Sequence, residues 1–536
     1  MRPTLWLVLA LSCVSLAAAK SFDSTQLAKA NLAHALELEK AKDPSAAIAA
    51  AKSAVEEDPE LIEAHEEYVK LVEDSVITRD GNFEKTEAEA VAQLKSQYDT
   101  WMQEYPRSAG VQYGLGSVYS NSEDPRAKPY LLKAVALNPS LAKAYEMLSF
   151  DADRWGNDRA ARDYMGRAAA AAPDEPSYAF YYADSFKDID YEKYVRLSLE
   201  VTEKFPNTER GAQSLYWLGA NATADPDKIR YWEQDRAQFP PTKFNWSADA
   251  MESLFDVYAR TAPEKALSVA NEMESGAPKN EVATWQSNVA LAQNLIAVRK
   301  FLAANQFTEA KALLEASKIS RYSNDLEMFD LLKAEATAGA GDPKGAYDAL
   351  CARYAKEPAD AVHVAILKYG SDLGKTPSDI NSEVWALRDA SAKAAPSFDL
   401  DQYLASGKKS LLDYKGKVVL LTFWFPGCGP CRGEFPHFEN VLKKFRGQDV
   451  SYVGINVLPG QDEYVKPFMR GTHYSFTPLR GDSKFAETVY HVRGEPTNFL
   501  IDKDGRIVYS NFRAHDPQSE RMLQLMIQSL LDRRGA

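Results

Sequence analysis

Apolar residues recur at three- and four-residue spacing from about residue 24 to residue 384, on a background of Ala, Leu, Glu, Lys and Tyr, and strand-like alternation is absent there. This spacing predicts amphipathic helices. Around Ala394 and Pro396 the pattern changes. Residues 417–425 form a continuous apolar, β-branched run that predicts a buried strand, and 450–457, 499–502 and 506–512 predict three more. Helical spacing covers 463–470, 484–490 and 517–531, and Lys503-Asp504-Gly505 predicts a hairpin turn between the last two strands. Strands alternating with helices build a layered α/β sandwich. The fold class is therefore multidomain, with an all-α array over 20–385 and an α/β domain over 390–536.

Prolines punctuate the helical text at Pro106, Pro139, Pro173, Pro206 and Pro240, at intervals of 33, 34, 33 and 34 residues. A period of about 34 residues predicts stacked helix pairs, because one pair cannot bury its apolar stripe alone. The run Ala134-Val135-Ala136-Leu137-Asn138-Pro139, the following Leu141-Ala142-Lys143-Ala144-Tyr145, and Tyr216-Trp217-Leu218-Gly219 resemble tetratricopeptide (TPR) repeats. The resemblance covers about 40–260, with Pro59 marking an earlier repeat, and fades after Pro278. It implies a concave groove for a protein or peptide partner. A spacer or dimerising element is the plainer alternative, since a repeat identifies architecture and no ligand.

The 536 residues are 45% hydrophobic, enough for several cores, and 63 Lys+Arg against 76 Asp+Glu give a net charge of -13. That balance excludes a nucleic-acid surface spread over the molecule. Residues 1–19 carry one early cation, Arg2, an apolar run over 5–16 and then Ala17-Ala18-Ala19 before Lys20, the layout of a secretory signal peptide cleaved near Ala19. The run is shorter than the roughly 18 to 20 residues that span a bilayer. A lipoprotein built on Cys13 is disfavoured, because Ala10-Leu11-Ser12 makes a poor lipobox. The expected protein is exported and periplasmic or otherwise extracytoplasmic, soluble after cleavage and membrane-associated if the signal stays. Four cysteines are too few for a disulfide scaffold, and Cys351, beside Leu350 and Ala352 in helical text, reads as a core thiol. Asn221-Ala222-Thr223 and Asn245-Trp246-Ser247 match the glycosylation acceptor pattern at chance frequency and carry no assignment.

Candidate chemistry concentrates in Trp424-Phe425-Pro426-Gly427-Cys428-Gly429-Pro430-Cys431-Arg432-Gly433-Glu434-Phe435-Pro436. Two cysteines separated by two residues, between a buried strand and a helix, form a redox motif. The unpaired N–H groups and positive dipole end of the helix stabilise a thiolate on the first of them. Cys428 is thus the expected nucleophile and Cys431, further into the helix, the resolving thiol of a redox disulfide.

The segment resembles the TlpA/ResA-type thioredoxins, thiol-disulfide oxidoreductases grouped with the AhpC/TSA superfamily. Pro396-Ser397-Phe398-Asp399-Leu400 is similar to the family's opening strand, Tyr414-Lys415-Gly416-Lys417-Val418-Val419 to its entry into the central strand, and Pro436 to the proline that kinks its active-site helix. The resemblance implies that Pro496, in Gly494-Glu495-Pro496-Thr497-Asn498-Phe499-Leu500-Ile501-Asp502, is cis, and that Glu495, Pro496 and Thr497 lay a substrate strand against Cys428. It implies that Glu434, one turn beyond Cys431, is the active-site glutamate; beside a buried thiol its pKa should be raised, fitting it to shuttle a proton. The Gly-Pro spacer resembles that of thioredoxin, implying a potential nearer roughly -270 mV than roughly -120 mV. Two positions depart from the family: Gly427 stands where Trp is common, and Glu495 puts a negative charge before the proline.

The expected function is an exported disulfide reductase using the Cys428/Cys431 dithiol, with disulfide-containing protein substrates, a TPR-groove partner and a membrane thiol electron donor. No cofactor beyond the cysteine pair, no metal and no nucleic acid are expected. A structural disulfide is a weaker account, because so short a loop constrains the unfolded chain little. Zinc would need more ligands than the pair and His437 supply. A thiol peroxidase wants Thr or Ser where Phe425 stands, and a scaffold with a binding-only thioredoxin domain is the rival from another class.

Overall fold

In the computed structural model, residues 5–77, 83–276, 278–317, 319 and 326–533 are described. Of the expected export segment, 1–19, residues 1–4 lie outside the described residues, and from Leu5 only the backbone is described, as part of the helix Leu5–Lys40. Among the described residues no helix is long and apolar enough to cross a membrane.

Twenty helices precede the first strand among the described residues. From Ala109 they come in pairs: Ala109–Asn121 with Ala127–Leu137, Ala142–Arg154 with Asp158–Ala171, Pro176–Asp184 with Tyr191–Lys204, Glu209–Ala220 with Asp225–Gln238, and Asn245–Thr261 with Pro263–Gly276. Each periodic proline stands two residues past the second helix of a pair. A proline disfavours helical backbone in the residue before it and offers no N–H of its own. Asn138 and Phe239, the residues so constrained, are extended at ψ 93° and 97° and end their helices. Asn157, Asp190 and Thr208 cap the N-termini of following helices, each side chain accepting a backbone N–H. Gly219 lets helix Glu209–Ala220 approach its mate, since a Cβ there would lie 2.3 Å from the Trp232 indole nitrogen.

The chain packs into two compact units, Met1–Tyr178 with Glu463–Thr472, and Ala179–Asp462 with His473–Ala536. In the first, His65, Tyr68, Tyr98 and Trp101 form an aromatic cluster, with the Tyr98 and Trp101 ring centres 5.0 Å apart. His65 is fully buried; its Nδ1 lies 3.1 Å from the Tyr98 hydroxyl and its Nε2 3.0 Å from the Pro59 carbonyl. Burial pushes His65 down to about 4, against weaker upward pulls from the Pro59 carbonyl and Asp58. In the same unit Asp151 accepts from Trp155 Nε1 at 3.1 Å and from the Tyr464 hydroxyl at 3.0 Å. Gly156, at φ +70°, brings its backbone against Phe468, where a Cβ would meet the carbonyl oxygen at 2.7 Å.

In the second unit the change from helix to strand falls between Ser391 and Lys393. Strands β1 (Lys393–Ala394), β4 (Val418–Trp424), β5 (Val450–Asn456), β6 (Thr477–Arg480), β7 (Thr497–Ile501) and β8 (Arg506–Ser510) make one sheet in the order β1-β8-β7-β4-β5-β6, while β2 (Asp399–Asp401) and β3 (Lys408–Ser410) pair separately. β4 is parallel to β5, antiparallel to β7 and buried at every residue, which accounts for its unbroken apolar text. Val419, Leu421 and Phe423 share one core with Tyr490 and Phe499. Trp424 packs instead with Phe435 and Phe476, ring centres 5.5 and 5.0 Å away. The four strands expected from sequence are present within two residues of their expected ends; β2 overlaps the opening strand that the resemblance implied over 396–400, whereas β6 and the short β1 and β3 were not expected. At the sheet margin β1 pairs antiparallel with β8, and Asp389, in the helix Pro377–Ser391, accepts from Arg506 at 3.1 Å and Arg533 at 2.8 Å.

Two outcomes follow for stability. Unfolded His65 takes up a proton below its ordinary value of about 6.5, and folded His65 does not until about 4, so stability falls with pH through that window. Moving from pH 7 to pH 5 is expected to cost about 2 kcal/mol from this group. Denaturant unfolding at both pH values should show that loss, with a smaller difference in His65→Gln. Gly219→Val forces a side chain into the Trp232 ring and should destabilise by about 1–3 kcal/mol, read as a lowered denaturant midpoint.

Candidate active site around Cys428

β4 delivers the chain at Trp424 to the loop Phe425-Pro426-Gly427, and Cys428 caps the helix Gly429–Leu442 that follows. The Cys431 backbone N–H donates to Cys428 Sγ at 3.2 Å. The sulfur thus sits where the helix N-terminus presents its unpaired donors, the placement that favours a thiolate once the bond is reduced. Cys428 and Cys431 are joined as a disulfide with Cα atoms 5.3 Å apart. Cys428 keeps 4% exposure and Cys431 none. Gln461 holds the approach to the cysteines, its side-chain oxygen accepting the Gly427 N–H at 2.7 Å.

One turn beyond Cys431, Glu434 is 2% exposed. Its Oε2 accepts from Asn498 Nδ2 at 2.8 Å, and its Oε1 accepts from the Ala514 N–H at 3.3 Å and pairs with Arg513 Nε. Burial pushes the Glu434 carboxyl above the ordinary carboxylate range; Asn498, Arg513 and Ala514 pull it back without cancelling the rise. Asn498 is itself fixed, accepting from the Thr422 hydroxyl at 2.7 Å and donating to the Phe512 carbonyl at 3.0 Å. Thr422 faces this network because side chains alternate along β4, and the residues on either side of it, Leu421 and Phe423, face the opposite core.

The Glu495–Pro496 peptide bond is cis. Pro496 leads into β7, whose Thr497 pairs with Phe423, so the loop lies at the end of the sheet from which β4 runs to Cys428. The Thr497 hydroxyl donates to the Gly494 carbonyl at 2.7 Å. Glu495 is half-buried, and burial raises its carboxyl pKa. Arg513 donates from a terminal nitrogen to the Pro496 carbonyl at 3.3 Å. His437 points elsewhere, to Glu520, with Nδ1 2.7 Å from the carboxylate. Cys351 is buried in the helical array at 2% exposure. Gln461, Thr422, Asn498 and Arg513 are the site residues that sequence reasoning did not assign. Thr422 and Asn498 left a trace as polar residues inside apolar strands; Gln461 and Arg513 left none.

The AhpC/TSA family model matches residues 392–510. The thiol-disulfide oxidoreductase ResA of Bacillus subtilis (strain 168) is 37% identical over 116 residues, 21% of this chain and 63% of that protein. ResA of Geobacillus thermodenitrificans (strain NG80-2) is 32% identical over 119 residues, 22% of this chain and 67% of that protein. The crystal structure of a thiol:disulfide interchange protein of the thioredoxin family from Chlorobium tepidum TLS is 24% identical, with 26% of this chain covering 96% of it at TM-score 0.23. This chain spans less than two thirds of the Bacillus subtilis protein's length. Matched over its sheet and cysteine-bearing helix, the chain belongs through this C-terminal segment to the ResA/TlpA-like thiol-disulfide oxidoreductases of the AhpC/TSA family.

Proposed function

We propose that the protein is an exported disulfide reductase in which residues 390–536 carry out thiol–disulfide exchange and the helical array, read as TPR-like, holds the client. The observation that carries the chemical half is the Cys428–Cys431 disulfide at a helix N-terminus, with a buried carboxyl one turn beyond. In the reduced protein the Cys428 thiolate attacks a client disulfide, forming a Cys428–client bond and releasing one client thiolate, which takes a proton from water. Cys431 then passes its proton to Glu434. Its thiolate attacks Cys428 Sγ, and the second client thiolate leaves with the bonding electron pair and takes up the proton that Glu434 gives back. The client gains two electrons and two protons, and the protein is left with the Cys428–Cys431 disulfide. A membrane thiol carrier on the outer side of the membrane would restore the dithiol. Glu495, Pro496 and Thr497 would dock the client strand.

Support for a client-holding role lies in a cleft of about 250 Å³ whose lining includes Tyr216, Lys228, Asp249, Glu252, Asp256 and Asp516. Burial, and then neighbouring carboxylates, push Asp249 and Glu252 above their ordinary range, so the cleft favours a partner that brings positive charge.

Reduced protein should cleave insulin disulfides well above the rate of free thiol, and Cys428→Ser should abolish this; a rate no higher than free thiol would leave a binding module only. Cys431→Ser should trap clients on Cys428 as mixed disulfides. Adding Asp249→Lys and Glu252→Lys to that variant should trap fewer of the same proteins, while reduction of a small disulfide by otherwise wild-type chain is unaffected. Glu434→Gln should slow exchange by about 100-fold with the fold retained, measured as insulin turnover and circular dichroism.

A further inference from the structure

Of the groups that hold Glu434, two are fixed by the fold. Asn498 is buried and tied to Thr422 and to the Phe512 carbonyl, and the Ala514 N–H belongs to the backbone. The third, Arg513, carries the charge, and its side chain is 46% exposed. Its guanidinium also reaches a second acceptor, the Pro496 carbonyl, at 3.3 Å. We propose that Arg513 is a positioning residue for thiol–disulfide exchange, its guanidinium tying the Glu434 carboxylate to the Pro496 carbonyl so that the proton acceptor beyond Cys431 and the loop at the sheet end are held as one piece.

This inference rests on the exchange activity proposed above. Resolution needs the Cys431 S–H bond to break and an O–H bond to form on Glu434 as the Cys431–Cys428 bond forms and the Cys428–client bond breaks, its electron pair leaving on the client sulfur. Only an ionised Glu434 accepts that proton. All three partners of Glu434 are donors, and a carboxylate surrounded by donors is satisfied in its charged form. Arg513 is the cation that acts on it. The other titratable groups around Glu434 are Tyr452 on β5, whose buried hydroxyl stays protonated, and Cys428 and Cys431 on its own helix. Asn498 and Arg513 together therefore limit how far the pH can fall before Glu434 is filled, and of the two Arg513 is the exposed one. Because its outer side meets solvent, it can be substituted without opening a cavity. Its two contacts make it more than a counter-charge. A lysine would keep the charge but lack the planar fork that spans both acceptors.

The test is the pH dependence of exchange in the full chain, followed with a small-molecule disulfide and reduced protein. Arg513→Ala should move the acid limb up by about one pH unit or more, a loss of about 5-fold or more in rate at the wild-type midpoint. Arg513→Lys should restore most of the limb's position with a lower plateau. In a Glu434→Gln background the limb should be absent, and adding Arg513→Ala should change nothing further. An Arg513→Ala profile that superimposes on wild type, or one lowered equally at every pH with the same loss in the Glu434→Gln background, would overturn the proposal. The infrared carboxyl band of Glu434, identified by its absence in Glu434→Gln, reads the same shift without turnover. A wild type inert toward disulfides would thus sink the activity alone, while this band decides the role of Arg513.

Discussion

A carboxylate at 2% exposure survives only if the fold brings donors to it, and at Glu434 those donors come from separate stretches of chain. Asn498 arrives on β7, while Arg513 and Ala514 follow β8, and all three converge on the helix that begins at Cys428. An unpaired buried charge costs several kcal/mol, about 3–5 when one partner of a pair is removed. The helix carrying the cysteines can therefore take only the position in which these contacts close. Thr422 extends the constraint into β4, the strand that delivers the cysteines, so the sheet, the cis-proline loop and the helix are registered against one another through a single side chain.

The helical array obeys a different logic. Its order comes from repetition of a local stop. The extended residues before Pro139 and Pro240 end the second helices of their pairs, and small residues such as Gly219 set how closely two helices approach. The period was legible in sequence because the stop is local and chemically distinctive. The strands β4, β5, β7 and β8 were legible because burial on one or both faces leaves a composition that cannot be mistaken for helix. The strand β6, Thr477–Arg480, was not: four residues containing a proline, at the margin of the sheet, carry too little pattern, and their pairing with β5 is decided by neighbours.

The site divides along the same line. The cysteine pair could be found because it occupies a short stretch of text with its own chemistry, while the cis-proline and Glu434 were found through the family resemblance of the segments that carry them. Gln461, in the short 3-10 helix Pro459–Gln461 and 34 residues from the glycine it holds, and Arg513, on the loop after β8 and 79 residues from the glutamate it pairs with, sit in text whose composition says nothing of their partners. Long-range polar contacts are specified by the folded backbone, and no local periodicity encodes them. The export segment stands apart from both cases, because its reading rests on text alone.

The two residues of β1 are the least conspicuous strand in the molecule, yet they close the outer side of β8. The helix Pro377–Ser391 leads straight into β1, and its Asp389 neutralises Arg506 and Arg533, which otherwise share only Asp502. The last helix of the array is in effect the selvedge of the sheet. Trimming the chain at the change from helix to strand would strip that border and leave a hydrogen-bonding edge open to any passing strand, with two arginines competing for one carboxylate. One margin of the redox segment's sheet is thereby covered by a piece of chain whose text reads as part of its neighbour, and the two would be expected to open to solvent as one cooperative unit.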